Sequence, residues 1–236
     1  MRCYVPHEAK QKAPWSLPIE HFKMTLPSPV ITRYLGQVGY LSTYQAMQQM
    51  TENRTAETVD EIWVLEHFSV YTLGMAGKME HVLNPGTIPV YFTNRGGQVT
   101  YHGLGQLVVY ILLDLSRRHW GVKRLVHALE QAVIDYLASL GITAQRRNQA
   151  PGVYVAERKI AALGLRVQRG CCYHGLSLNV DMDMHPFDGI NPCGYAGLQV
   201  IQLKDLVTIN DLSQVQADFL PFLWQNLCVF PQQELY

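Results

Sequence analysis

The 236-residue chain has no surplus of either charge: nineteen Lys and Arg meet nineteen Asp and Glu. A general nucleic-acid binder carries a basic excess, so that class is set aside. A long apolar run is also missing. The longest, Leu107 to Leu113, falls far short of the roughly 20 residues that a membrane-crossing helix needs. It reads as a strand buried on both faces, and no membrane partner is expected. Five cysteines (Cys3, Cys171, Cys172, Cys193, Cys228) include no Cys-x-x-Cys, which leaves neither a zinc knuckle nor a redox dithiol. Cys171 and Cys172 diverge if they lie on a strand, so with His174 they make a poor metal site and read as buried thiols of a reducing compartment. Residues 1–29 hold five prolines and one arginine, with neither a secretory apolar stretch nor a presequence composition. They are expected to form an extension to a cytoplasmic protein.

What is present is a globular composition, 48% apolar and 16% charged, which excludes wholesale disorder. No linker or repeat breaks residues 30–236, so one domain is expected there. Residues 35–53 suggest a helix with Val38, Leu41, Tyr44 and Met47 on one face. Short strands are expected at 62–65, 70–73 and 90–93, the first two broken by Glu66 and His67, with 106–113 as the central strand. Residues 122–140 repeat apolar positions at three-and-four spacing from Val122 to Leu140, and Gly141 is a natural stop. Extended segments at 152–155, 159–168 and 172–180, joined by short polar turns, predict an antiparallel meander. An irregular stretch at 181–199 precedes a helical region at about 205–228, interrupted by Pro221. Few helices and strands without regular alternation favour α+β over a doubly wound sheet.

Three segments stand out chemically. Between Arg95 and Gln106, four glycines let backbone N–H groups approach a ligand, or simply make a tight connection. No dinucleotide or phosphate-loop fingerprint accompanies them. Lys159 opens an otherwise apolar strand. It is either a solvated edge residue or a partly desolvated amine whose pKa falls toward neutrality. Cys193, between Pro192 and Gly194, is presented on a rigid turn, and a thiol there needs a cationic partner to act as a nucleophile. Asp181, Asp183 and Asp188 would oppose ionisation if close. His102 and His174 are the base candidates, while His67 and His81 read as structural. Spacing does not choose between histidine and Lys159.

The runs Arg95–His102, Lys159–Gly164, His174–Asn179 and Asn191–Tyr195 occur in the order seen in the lipoyl(octanoyl) transferases, which the chain resembles from about residue 30 to 205. Asp60–Trp63, Leu65–His67, Thr72–Gly74 and Ala76–Lys78 add to the likeness. The resemblance implies a mixed, largely antiparallel sheet with flanking helices, as in the catalytic domains of biotin and lipoate protein ligases. It implies transfer of an octanoyl group from octanoyl-acyl carrier protein to a lysine of lipoyl domains, through a cysteine thioester. The acceptor domains belong to 2-oxoacid dehydrogenase acyltransferase subunits and the glycine-cleavage H protein. It implies Cys193 as nucleophile and Lys159 as acid/base partner, with no metal and no cofactor. It places the acyl group against Arg95, Gly96, Gly97, Gln98, Val99, Thr100, Tyr101 and His102, against Ala162, Leu163 and Gly164, and against Gly175, Leu176 and Ser177. Leu104, Asn94 and Ser69–Val70 depart from the usual pattern, and Leu104 removes a rigid proline before Gly105.

The thioester donor would make ATP unnecessary, and the acyl slot is expected to be narrow and apolar. Arg117–Arg118, Lys123–Arg124, Arg146–Arg147 and the pair Arg166 and Arg169 are candidate docking cations for an acidic carrier. An ATP-dependent lipoate or biotin ligase is the nearest alternative, and a non-catalytic acyl or lipoyl-domain binder a more distant one. Cys193 favours the transferase, because an acyl-adenylate route has no use for a thiol.

Overall fold

The computed structural model describes residues 28–232. The expected 1–29 extension lies outside them except for Ser28 and Pro29, which open a strand. Among the described residues the order is β1 (Ser28–Val38), α1 (Tyr40–Glu52), β2 (Asp60–His67), β3 (Val70–Leu73), β4 (Val90–Phe92), β5 (Val99–His102), β6 (Gln106–Leu112), α2 (Val122–Ser139), β7 (Val153–Val155), β8 (Arg158–Gln168), β9 (Cys171–Asn179), α3 (Leu212–Leu227) and β10 (Val229–Gln232). One sheet runs β10-β1-β2-β6-β9-β8-β7, and a smaller one runs β4-β3-β5. β1 is parallel to β2 and β10, while β2, β6, β9, β8 and β7 pair antiparallel in turn. The architecture is the mixed α+β sheet expected.

Side-chain alternation along β6 explains why helices cover both faces. Leu107, Val109 and Ile111 join Ile62 and Val64 beneath α2 and α3, in contact with Leu129, Val133 and Phe219. Val108, Tyr110 and Leu112 face the other way with Trp63, Leu65 and Met47 of α1. The small sheet has its own core, in which Tyr71, Leu73, Val99 and Tyr101 meet Met182, Phe187 and Ile190.

Several sequence expectations are corrected. Residues 35–38 belong to β1, and the helix starts at Tyr40 with Leu41 exposed. Glu66 and His67 do not break a strand: both lie in β2, and His67 is buried between the Val38 carbonyl and the Tyr110 hydroxyl. α3 continues through Pro221, whose exposed position limits the loss to one helical hydrogen bond. β5 and β10 were not foreseen.

Asp60 anchors the start of β2. Its carboxylate, 2% exposed, accepts from Arg54 at 2.8 Å, Arg117 at 2.9 Å, Arg118 at 3.1 Å and the Asp114 amide at 2.9 Å. Removing one side of such a buried array leaves uncompensated charge. Asp60→Ala is expected to lower the unfolding free energy in urea by about 3–5 kcal/mol; a change below about 1 kcal/mol would show that the three arginines find other partners.

Candidate active site

Lys159 is the second residue of β8, where its backbone pairs with the incoming 199–201 segment: its N–H donates to Gln199 and its carbonyl accepts from Ile201. Its side chain is 4% exposed. Nζ lies 2.9 Å from Cys193 Sγ, 3.1 Å from the Pro151 carbonyl it donates to, and 5.1 Å from the centre of the Tyr154 ring. The solvated-edge reading of Lys159 is therefore wrong. The expected fall in its pKa is also reversed. Burial lowers it, but charge and hydrogen bonding from Cys193, with help from Tyr154, outweigh burial and raise it.

Gly152 makes room for this amine. At φ +140°, a Cβ there would meet Lys159 Cε at 3.0 Å and Nζ at 3.2 Å. Its N–H donates to buried Glu130, which Arg146 holds at 3.0 Å. Cys193 sits half-buried on a 3-10 turn, Pro192–Gly194, in the left-handed region at φ 58°, ψ 14°. Few side chains adopt that conformation without support. Here the preceding Asn191 N–H is tied to the His81 carbonyl at 2.8 Å, and the Gly194 N–H closes onto the Asn191 carbonyl at 2.9 Å.

Both residues line a cavity of about 460 Å³. The structure brings Arg95, Gly96, Gly97, Gln98, Val99, Thr100, His102, Ala162, Leu163, Gly164, Gly175, Leu176 and Ser177 to its wall. Tyr101 is not there. Alternation along β5 turns it into the small-sheet core, where its hydroxyl meets Ser69 at 3.0 Å. Arg95 is buried and donates to the Thr72 carbonyl and hydroxyl and to the carbonyls of Gly96 and Gln98. Asp181, Asp183 and Asp188 line a separate open cleft with Leu104. The loop lacking its proline is held otherwise: Gly105, at φ +85°, donates to Glu66 at 2.7 Å and accepts from Val180 and Asp181.

His102 and His174 do line the cavity, but neither pairs with Cys193. His102 is bonded to Gln106 at 2.7 Å and His174 to Asn94 at 3.0 Å. Burial first, then neighbouring charge (His67 and Arg95 for His102, Arg95 and His102 for His174), pushes both down to about 3, so they stay neutral. Tyr40, Tyr110, Val122, Val126, Pro151 and Tyr195 are among the further wall residues that the sequence does not mark as site residues. For Val122 and Val126 the signal was their i, i+4 spacing at the start of a helix. Among the described residues no group of three His, Cys, Asp or Glu could hold a metal, and no helix is long and apolar enough to cross a membrane.

The Lipoyl protein ligase A/B catalytic domain family matches residues 40–220. A protein of Dechloromonas aromatica named octanoyltransferase is 64% identical over 177 residues, covering 75% of this chain and 86% of its own. Another octanoyltransferase, from Laribacter hongkongensis, is 56% identical over 202 residues, covering 86% and 97%. The chain belongs to the octanoyltransferases. It is accordingly an acyltransferase that moves octanoyl groups in protein lipoylation. The fold of this chain is that of the lipoate ligases. A lipoate-protein ligase A bound with ATP superposes with TM-score 0.68 at 14% identity, over 88% of each chain. An archaeal lipoate protein ligase from Thermoplasma acidophilum gives 0.67 at 14% identity, over 88% and 86%.

His67, pushed down to about 4 mainly by burial, joins His102 and His174 as a buried neutral imidazole of this octanoyltransferase. Because the folded pKa lies below the unfolded 6.5, the stability these three contribute is intact above pH 6.5 and lost as pH falls toward 4 and then 3. Each contributes about 1.4 kcal/mol per pH unit in that window. Urea unfolding at pH 5.5 against pH 7.5 is expected to show a loss approaching about 4 kcal/mol; equal stabilities would mean that the imidazoles protonate inside the fold.

Proposed function

We propose that this chain takes an octanoyl group from octanoyl-acyl carrier protein onto Cys193 and passes it to a lysine of a lipoyl domain, with Lys159 moving the protons. The observation that carries this reading is the 2.9 Å contact between a buried amine and a half-buried thiol on the wall of one cavity. In the first step the Cys193 sulfur attacks the thioester carbonyl, the bond to the carrier's thiol breaks, and the Lys159 ammonium protonates the departing sulfur. The Gly194 amide is already committed to Asn191. The amides of Gly97 and Gln98, which bond no described residue, are the better donors for the developing oxyanion.

The same forces reset Lys159 for the second step. Its pKa is lowered by burial and raised by the sulfur's charge. Acylation removes that charge and leaves burial, so the amine, having given its proton to the departing sulfur, stays neutral. A neutral Lys159 then takes the proton from the acceptor amine as it attacks, and the Cys193–acyl bond breaks to give an amide. The acceptors fitting this chemistry are lipoyl domains of 2-oxoacid dehydrogenase acyltransferase subunits and of the glycine-cleavage H protein. The reaction sequence needs no ATP, which separates it from the ligases that share the fold.

Incubation with octanoyl-acyl carrier protein in the absence of ATP is expected to add one octanoyl mass to the protein, discharged by a lipoyl domain and absent in Cys193→Ala. Acylation of the lipoyl domain only with free octanoate and ATP would move the chain to ligase chemistry. Lys159→Met, which refills the buried space, is expected to slow both acyl loading and acyl transfer by about 100-fold or more in single-turnover assays; a defect in neither step would remove Lys159 from the mechanism.

A further inference from the structure

The structure sorts the candidate docking cations sharply. Arg117 and Arg118 are held by Asp60, Arg146 by Glu130 and Arg147 by Glu157. Arg166 leans on Met75 sulfur, and Arg169 donates to the Thr51 and Glu52 carbonyls. Lys123 and Arg124 are both exposed and, like Arg166 and Arg169, pair with no carboxylate among the described residues, but they alone of these four adjoin a residue of the helix that lines the cavity's wall, Val122. Arg124 is instead spread over the Trp120 ring, 4.3 Å from its centre, which fixes its position without neutralising it.

Their place on α2 matters as much as their freedom. Val122 and Val126, four residues apart, line the cavity that holds Cys193, and Val122 is 44% exposed. Lys123 and Arg124 lie on the next positions around the helix, and neither lines the cavity. The first turn of α2 has no acidic residue and no side-chain cap. Two cations at a helix N-terminus oppose the helix dipole, so they gain nothing locally.

We propose that Lys123 and Arg124 are the docking site for the acidic surface of the acyl carrier protein, placed beside the cavity mouth so that the carrier's body rests on α2 while its thioester arm passes Val122 to Cys193. This rests on the transfer reading above and specifies how the donor is held. The cations meet the carrier's body, not the arm's phosphate, because the residues at the cavity wall are the valines and the charges flank them outside.

The test compares Lys123→Glu/Arg124→Glu with the unaltered protein on three octanoyl donors: the carrier protein, 4′-phosphopantetheine and pantetheine. Acyl loading of Cys193 is followed by intact mass over a range of salt. The double variant is expected to lose about tenfold or more in kcat/KM for the carrier donor at low salt, with KM carrying the change. Its salt dependence should flatten, and its rates with both small donors should match the unaltered protein. An unchanged carrier KM and salt dependence would overturn the proposal. So would an equal loss on all three donors, which would mark a general defect, or a loss shared by carrier and 4′-phosphopantetheine alone, which would assign the cations to the arm's phosphate. An unaltered protein inert toward every donor would overturn the transfer reading itself, and the docking site with it.

Discussion

A guanidinium buried without a carboxylate shapes everything around the cavity. Arg95 is 8% exposed, and among the described residues no acidic side chain pairs with it. Burying such a charge is costly unless its donors are satisfied, and here Thr72, Gly96 and Gln98 satisfy them. The same bonds fasten β3 to the glycine segment. They also impose glycine on their surroundings. A Cβ at Gly74 would come within 2.9 Å of Arg95 Nη1, and one at Gly164 within 2.9 Å of Arg95 Cδ. A fixed positive charge beside two buried imidazoles adds to burial in keeping them uncharged.

The cavity therefore has two kinds of wall. Near Cys193 it is made of Lys159, glycine backbone and small side chains, suited to a reacting carbonyl. Elsewhere the wall is made of rings, with others packed behind them: Tyr40 at the wall stacks on His102, and His174 on Tyr44 behind it, while His67, also behind, meets the edge of Tyr40. These rings come from α1, β2, β5 and β9. The two halves of the main sheet and the small sheet must all be in place before the cavity closes. Stability and site shape are thus carried by the same residues.

How much of this was legible in the sequence depends on how local the signal is. β6 could be read because burial on both faces makes a continuous apolar run, and α2 because its stripe has the helical period. β1 could not. Leu35 and Val38 fall in phase with the helix that follows, and the strand carries Gly36 at φ +63°, where its register against β2 shifts. β10 is four residues long and follows a helix after a single left-handed residue, Cys228. Lys159 and Cys193 each stood out, yet they are 34 positions apart, and their pairing came from family resemblance. Spacing within a segment cannot report a contact that two distant segments make. Tyr101 was included because its neighbours in the motif belong to the wall, although strand alternation sends it the other way.

The closeness of Lys159 to Cys193 has a second face. A primary amine held 2.9 Å from the sulfur is the same functional group as the acceptor lysine, and an acyl group on that sulfur would lie within its reach. In the proposed reaction, migration of the acyl group from sulfur to this nitrogen would free the thiol but lock Lys159 in an amide, a dead product. Besides the sulfur itself, the bond to the Pro151 carbonyl and the face of Tyr154 hold the amine in place. In the proposed reaction, the anchorage that places Lys159 as a proton donor also restrains it as a competing nucleophile, so resistance to self-acylation would rest on the same few contacts as the transfer.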